Sequence, residues 1–141
     1  MSKITAERYH DISCGHRVVG HEGKCVHLHG HNYRIHFTIE AEGLDGIGRA
    51  LDFSVIKKLL CEWLEDMFDH KMLIWEDDPM MDDLCAMDPG GVIVVPFNPT
   101  AENIAKYLLE EVGPLTLGTT TAKLIKVRVE ETRKCSAEAS L

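Results

Sequence analysis

The alternation of apolar and polar residues predicts four β-strands. It is cleanest over residues 32–40, where four apolar side chains share one face of a half-buried strand: Tyr33, Ile35, Phe37 and Ile39. Looser alternation predicts a first strand over residues 4–13 and a last strand over residues 125–130. The short apolar run at residues 92–95 is consistent with a further, buried strand.

Apolar residues spaced three and four positions apart predict two helices. The first helix is expected to be capped by Asp52 or Ser54 and to extend to about residue 67. The second helix is expected to begin with Thr100 as its N-cap and to end at Gly113-Pro114.

These elements follow one another in the order β-β-α-β-α-β. That order is typical of an α+β fold, here an antiparallel four-stranded sheet with two helices packed on one face. Residues 76–91 are rich in aspartate and are interpreted as an acidic loop. No repeat or linker interrupts the sequence, so residues 1–141 are expected to form a single domain.

The net charge and the cysteine content limit which binding partners and which cellular compartment the sequence favours. The net charge of −8 disfavours nucleic acid, because affinity for phosphate backbones depends on clustered Lys and Arg. No stretch approaches the roughly 18 apolar residues of a membrane span, and residues 1–9 do not resemble a signal peptide. The five cysteines are odd in number and irregularly spaced, unlike a secreted disulfide framework. We therefore expect a reduced, cytoplasmic protein.

The histidines are the first sign of chemistry, because they cluster near the predicted second strand. His29 and His31 have the parity of its apolar face, so both imidazoles are expected on the buried side. A hairpin after the first strand would bring His16 beside them. Three converging imidazoles predict a Zn²⁺ site with one open position, as in catalytic zinc centres. The alternative is that these histidines only form hydrogen bonds.

Cys25 lies four residues before His29, and two roles are open for its thiol. Near a dication and a protonatable imidazole its pKa can fall, so that it acts as a base or a nucleophile. As a fourth zinc ligand it would instead close the coordination shell and make the site structural.

Two other polar features are candidates for site residues. Asp69-His70 is a carboxylate–imidazole pair suited to acid–base chemistry, although a histidine there can also interact with the end of a helix. Glu131 continues the parity of the apolar face of the last strand. Its carboxylate needs a partner, which is either a ligand with paired N–H donors or an ion-pairing arginine, unless the strand has already ended before it.

At these residues the chain resembles the 6-pyruvoyltetrahydropterin synthase and 6-carboxytetrahydropterin synthase family, over about residues 4–132. Six motifs in order carry the resemblance: Gly15-His16-Arg17, Cys25-x-x-x-His29-Gly30-His31-Asn32-Tyr33, Leu51-Asp52-Phe53, Asp69-His70, Pro99-Thr100-Ala101-Glu102-Asn103-Ile104-Ala105, and Glu131-Thr132.

The resemblance implies a role for each candidate residue. Zinc would be held by His16, His29 and His31. Cys25 would be the thiol that abstracts a proton, with Asp69 and His70 as a proton relay. Glu131 would anchor the guanidine-like edge of a pterin, which presents two parallel N–H donors. Thr100 and Glu102 match the segment that lines the pterin pocket, although Thr100 also has a structural reason as an N-cap.

The resemblance also implies an architecture and a reaction. The family has the tunnelling fold, in which subunits combine their sheets into a barrel, commonly as hexamers with sites between neighbours. Three residues separate Cys25 from His29, as in the bacterial 6-carboxytetrahydropterin synthases of queuosine and 7-deazaguanine biosynthesis. The pyruvoyl-forming enzymes usually have five. The implied reaction converts 7,8-dihydroneopterin triphosphate to 6-carboxy-5,6,7,8-tetrahydropterin, with release of acetaldehyde and triphosphate.

The chain departs from the family pattern in three places. Cys14-Gly15 precedes the first ligand where the family often has two alanines, which makes Cys14 a second candidate base or ligand. Lys71-Met72 follows His70 in place of the family's usual residues, and the acidic segment 76–91 is longer than typical. Three alternatives stay open: a pyruvoyl-forming enzyme, a zinc-stabilised binding module without catalysis, and a zinc hydrolase.

Overall fold

The structure is a computed structural model that describes residues 2–141. Six strands form one sheet with the spatial order β4-β3-β1-β2-β5-β6. Their bounds are Thr5–His16 (β1), His29–Ala41 (β2), Met72–Trp75 (β3), Val92–Val95 (β4), Ala122–Glu130 (β5) and Ser136–Ser140 (β6). β1, β2, β5 and β6 pair antiparallel, whereas β3 runs parallel to both β1 and β4.

The prediction of a four-stranded antiparallel sheet is therefore wrong in strand number and in direction. β3 is a four-residue strand inside a continuous apolar run, which has no alternation that would distinguish it. β6 consists of small and charged residues and forms a strand because it pairs with β5 along its whole length. The four predicted strands themselves are present, and the α+β class is confirmed.

Two long helices and one short helix complete the fold. The first, α1, comprises Phe53–Ile56, a π-helical turn Lys57–Cys61, and Glu62–Met67. The short helix α2 is Met81–Met87. The last, α3, comprises Ala101–Tyr107, a π-helical turn Leu108–Val112, and Gly113–Leu117.

The predicted caps are confirmed, but two predicted boundaries are not. Asp52 accepts the Ser54 N–H at 2.9 Å, and Thr100 accepts the Asn103 N–H at 3.1 Å. The segment predicted as an acidic loop, 76–91, contains α2. Gly113-Pro114 does not end α3, because proline is tolerated in the first turn of the α-helical segment that follows the π-helical turn.

The core lies between the helices and one face of the sheet. Phe37 and Leu64 are fully buried there, together with the apolar residues of β5. The opposite face of β1 and β2 is polar; Arg34 pairs with Asp11 at 2.8 Å. The prediction that helices pack on one face is confirmed. No helix within residues 2–141 has the length and apolar character needed to cross a membrane.

Candidate metal centre and active site

The pairing of β1 with β2 brings three imidazoles together where the buried face ends. His16 lies opposite His29 in the antiparallel register, and His31 is two positions along β2 on the same face. The ring centroids are 4.5 Å apart for His16 and His29, 5.1 Å for His16 and His31, and 4.9 Å for His29 and His31. One nitrogen of each ring lies within 4.8 Å of the others. The predicted convergence of the three histidines is confirmed.

Hydrogen bonds to backbone carbonyls orient two of these rings. His16 Nδ1 donates to the Pro99 oxygen at 2.6 Å, and His29 Nδ1 donates to the His27 oxygen at 2.7 Å. The Nε2 atoms of His29 and His31 are buried and have no hydrogen-bond partner among residues 2–141. Buried nitrogens without a partner are costly, and a metal ion would satisfy them. The triad could therefore hold a metal ion.

Burial favours the neutral, metal-binding form of His16 and His31. It lowers the pKa of His16 and of His31, and the neighbouring His29 acts in the same direction on both. The Glu131 carboxylate opposes this effect at both rings. Because metal ions bind the neutral imidazole, lowered pKa values favour coordination near neutral pH.

Tyr33 is a site residue that sequence reasoning assigned only to the core. Its hydroxyl lies 3.2 Å from Nδ1 and 3.3 Å from Nε2 of His16, and its ring lies edge-on to both His16 and His31. Burial raises its pKa, so the hydroxyl stays protonated. The sequence did contain a signal for this role, because Tyr33 lies on the same face of the predicted strand as His29 and His31.

Glu131 lies directly beside the triad. Its Oε1 atom is 3.5 Å from His31 Nε2, and its side chain is 24% exposed. Glu131 and Glu102 line the same cavity of about 410 Å³, between the start of α3 and β6. Thr100 is not among the residues that line it; its hydroxyl caps α3.

Cys25 lies in a 3₁₀ turn, Lys24–Val26, within the loop that joins β1 to β2. Its side chain is partly buried. The Cys25 carbonyl accepts the Val18 N–H at 2.8 Å, so the turn lies beside the end of β1, two residues after His16. In the part of the chain that the structure describes, however, the cluster that could hold a metal contains the three histidines and not this sulfur.

Cys14, the second candidate thiol, is part of the core. Its Sγ donates to the Phe68 carbonyl at 3.1 Å. Burial, and then the charge of Asp69, raise its pKa to about 12. A thiol that stays protonated at neutral pH is a poor base and a poor metal ligand.

The Asp69–His70 pair is formed, and its imidazole is exposed. His70 Nδ1 lies 2.8 Å from Asp69 Oδ2, and the other Asp69 oxygen accepts the Ser13 N–H at 2.9 Å. The His70 side chain is 81% exposed. Within residues 2–141 no hydrogen bond joins it to the three histidines.

The fold and this site together define an α+β protein with a cluster of three histidines that could hold a metal ion. The family model described as 6-pyruvoyl tetrahydropterin synthase matches residues 4–140. A 6-carboxy-5,6,7,8-tetrahydropterin synthase of Rickettsia bellii is 34% identical over 136 residues, which cover 96% of this chain and 99% of the relative. The enzyme of that name from Aquifex aeolicus is 35% identical over 126 residues, covering 82% and 75%. The chain belongs to the 6-pyruvoyl tetrahydropterin synthase family.

Solved structures show the same fold. An uncharacterized protein from Wolinella succinogenes superposes with a TM-score of 0.83 at 24% identity, covering 99% of both chains. The 6-pyruvoyl tetrahydropterin synthase of Caenorhabditis elegans superposes with a TM-score of 0.72 at 24% identity, covering 100% of this chain and 97% of the other. The tunnelling fold implied by the resemblance is confirmed.

Proposed function

We propose that the protein is a 6-carboxytetrahydropterin synthase, a lyase that converts 7,8-dihydroneopterin triphosphate to 6-carboxy-5,6,7,8-tetrahydropterin, acetaldehyde and triphosphate. The observation that carries the proposal is the cluster of three histidines on β1 and β2, with Cys25 in the loop that joins these two strands. Relatives that bear this name align with most of the chain, which supports the assignment. The pathway we propose is queuosine and 7-deazaguanine biosynthesis.

Zn²⁺ is the metal that we propose for the triad. His16, His29 and His31 would hold it through their imidazole nitrogens, and a site of three neutral imidazoles suits this ion. When bound, zinc supplies Lewis-acid stabilisation of charge that develops on oxygen atoms of the substrate side chain.

The chain's own residues would orient the pterin and move its protons. The Glu131 carboxylate accepts two parallel N–H bonds from the guanidine-like edge, which fixes the orientation of the ring. Glu102 lines the same cavity and is the second acidic group that the pterin would meet. The Cys25 thiolate removes a carbon-bound proton, and the His70–Asp69 pair delivers or accepts the next one.

The position of His70 favours a site shared between subunits of a homo-oligomer. Its ring is 81% exposed and lacks a hydrogen bond to the triad of its own chain. We propose that His70 and Asp69 act at the triad of a neighbouring copy, in a hexamer. We also propose that the protein works in the cytoplasm, because all five cysteines are free thiols and a reducing compartment keeps thiols in that form.

Product analysis tests the reaction. Purified zinc-loaded protein is incubated with 7,8-dihydroneopterin triphosphate, and the products are identified by mass spectrometry. We expect 6-carboxytetrahydropterin together with acetaldehyde and triphosphate. Triphosphate release with a 6-pyruvoyl product would contradict the carboxy assignment. Stoichiometric zinc without turnover would support a non-catalytic, zinc-stabilised module.

A further inference from the structure

Arg17 connects the acidic segment to the loop that contains Cys25. Its Nε and Nη2 atoms donate to the two oxygens of Asp78, at 2.8 and 2.9 Å. Its Nη1 atom donates to the carbonyl of Val26, the residue after Cys25, at 3.0 Å. One guanidinium thus contacts a carboxylate that is 61 residues away and the backbone of the cysteine turn.

This ion pair is much more buried than a surface pair. The Asp78 side chain is 1% exposed and that of Arg17 is 13% exposed. Asp78 also accepts the Met80 N–H at 2.8 Å, so the start of α2 orients the carboxylate. A bidentate pair with low exposure has a defined geometry, because planar guanidinium and carboxylate groups match each other along two bonds.

Other contacts hold the rest of the same loop. The Cys25 carbonyl accepts the Val18 N–H at 2.8 Å. The amide of Asn98 accepts the Val19 N–H and donates to the Val19 carbonyl, both at 3.0 Å. Side chains therefore hold this loop before and after Cys25: Asn98 binds the backbone of Val19, and Arg17 binds that of Val26. The Arg17 contact is made within the turn Lys24–Val26 that contains the cysteine.

We propose that Asp78 and Arg17 are positioning residues that hold the Cys25 thiol at the distance from the triad that proton transfer requires. The inference rests on the proposed function, in which Cys25 is the base. It assigns a role to the acidic segment: Asp78 fixes the Arg17 guanidinium, and Arg17 fixes the cysteine turn. Neither residue contacts substrate in this role.

The proposal predicts a specific kinetic effect. A base displaced by about 1 Å can reduce the rate up to about 100-fold, whereas binding of the pterin at Glu131 is unaffected. Loss of the carboxylate should therefore lower kcat and leave KM and zinc content near their wild-type values.

The experiment compares Asp78→Asn with Asp77→Asn, which removes the same charge from an exposed neighbouring residue. Zinc content, kcat, KM and the alkylation rate of Cys25 by iodoacetamide are measured for each. For Asp78→Asn we expect a fall in kcat of about 10- to 100-fold, KM within about twofold of wild type, full zinc content and a changed alkylation rate of Cys25. Asp77→Asn should match the wild type.

A second variant keeps the test decisive if Asp78→Asn does not fold. Arg17→Lys retains the charge but lacks the fork that reaches both Asp78 and Val26, so it should show the same loss of kcat with unchanged KM. Wild-type kcat and alkylation rate in either folded variant would overturn the proposal. A wild-type protein that makes no 6-carboxytetrahydropterin would instead contradict the proposed function, so the two failures are distinguishable.

Discussion

The Nδ1 atom of His16 lies 2.6 Å from the carbonyl oxygen of Pro99. Pro99 precedes the N-cap of α3, so the start of a helix orients an imidazole on β1. Because the Nδ1 proton is donated to that oxygen, Nε2 of the neutral ring carries no proton and can bind a metal ion. A backbone partner of this kind fixes both the tautomer and the ring orientation of a metal-binding histidine.

Metal binding should depend on all three rings of the triad. We expect His16→Ala, His29→Ala and His31→Ala each to weaken zinc binding by at least about 100-fold, since the loss of an outer-shell partner alone costs 10- to 100-fold. Metal analysis after dialysis against a weak chelator measures this. His27→Ala is the matched control, because its side chain is exposed and the substitution keeps the backbone carbonyl that accepts the hydrogen bond from His29. Full zinc content in any triad variant would contradict the assignment.

Removal of the Cys25 thiol should separate catalysis from metal binding. Cys25→Ala is expected to keep stoichiometric zinc and to lower kcat by about 10²- to 10⁴-fold, the range that a positioned base contributes. Cys85→Ala, which changes a partly buried cysteine on α2, should leave both quantities unchanged. Loss of zinc from Cys25→Ala would instead identify the sulfur as a fourth ligand.

A site shared between subunits predicts complementation between two inactive variants. Cys25→Ala and His70→Ala should each be inactive alone. After co-refolding, activity should return to about a quarter of the wild-type value, because random mixing leaves about one site in four with both native side chains. Steady-state turnover of the mixture measures this. Mixed oligomers that remain inactive, although mass spectrometry shows that subunits have exchanged, would place both residues in one chain's site.

The triad could be predicted from the sequence because strand parity is a local property. Tyr33 to Ile39 alternate in a way that only a half-buried strand explains, and extending this parity backwards puts His29 and His31 on the same face. A hairpin then requires a partner strand, which brings His16 opposite His29. The caps at Asp52 and Thr100 are equally local, since each depends on residues within three positions.

What could not be predicted depends on contacts between distant segments. Ser136–Ser140 contains no large apolar residue, and only its pairing with β5 makes it a strand. Asp78 is one of many acidic residues in segment 76–91, and nothing in its neighbourhood distinguishes it from Asp77. The path of the chain places Asp78 against Arg17 and leaves Asp77 exposed.

The close approach of β1 and β2 beside the triad should make Gly30 intolerant of a side chain. A Cβ atom at Gly30 would lie 3.0 Å from the carbonyl oxygen of Cys14, a backbone atom of the paired strand. We expect Gly30→Ala to lower the free energy of unfolding by about 1–2 kcal/mol and to weaken zinc binding, because the strands that contain the ligands must move apart. Gly43→Ala, with no atom within 4 Å of its Cβ, is the control. Denaturant titration and zinc competition measure the two effects.

The Asp78–Arg17 pair should make stability depend on pH in a defined direction. Hydrogen bonds from the Arg17 guanidinium hold the pKa of the Asp78 carboxyl below its ordinary value of 3.8. The unfolded chain is expected to show the ordinary value. As the pH falls, the unfolded state therefore takes up a proton at Asp78 before the folded state does. The contribution of the Asp78–Arg17 pair to stability is complete above the pKa of Asp78 in the unfolded chain. It is lost as the pH falls through the pKa of Asp78 in the folded protein.

Asp78→Asn should accordingly be less stable than the wild type by about 3 kcal/mol at neutral pH, because it leaves a nearly buried guanidinium without its carboxylate. At about pH 3 the difference in free energy of unfolding between the two proteins should be smaller, because the Asp78 carboxyl of the wild type then binds a proton in the unfolded chain. Urea denaturation of both proteins at the two pH values measures the gap, and Asp77→Asn serves as the control. A gap of the same size at both pH values would show that the carboxylate charge is not what stabilises the pair.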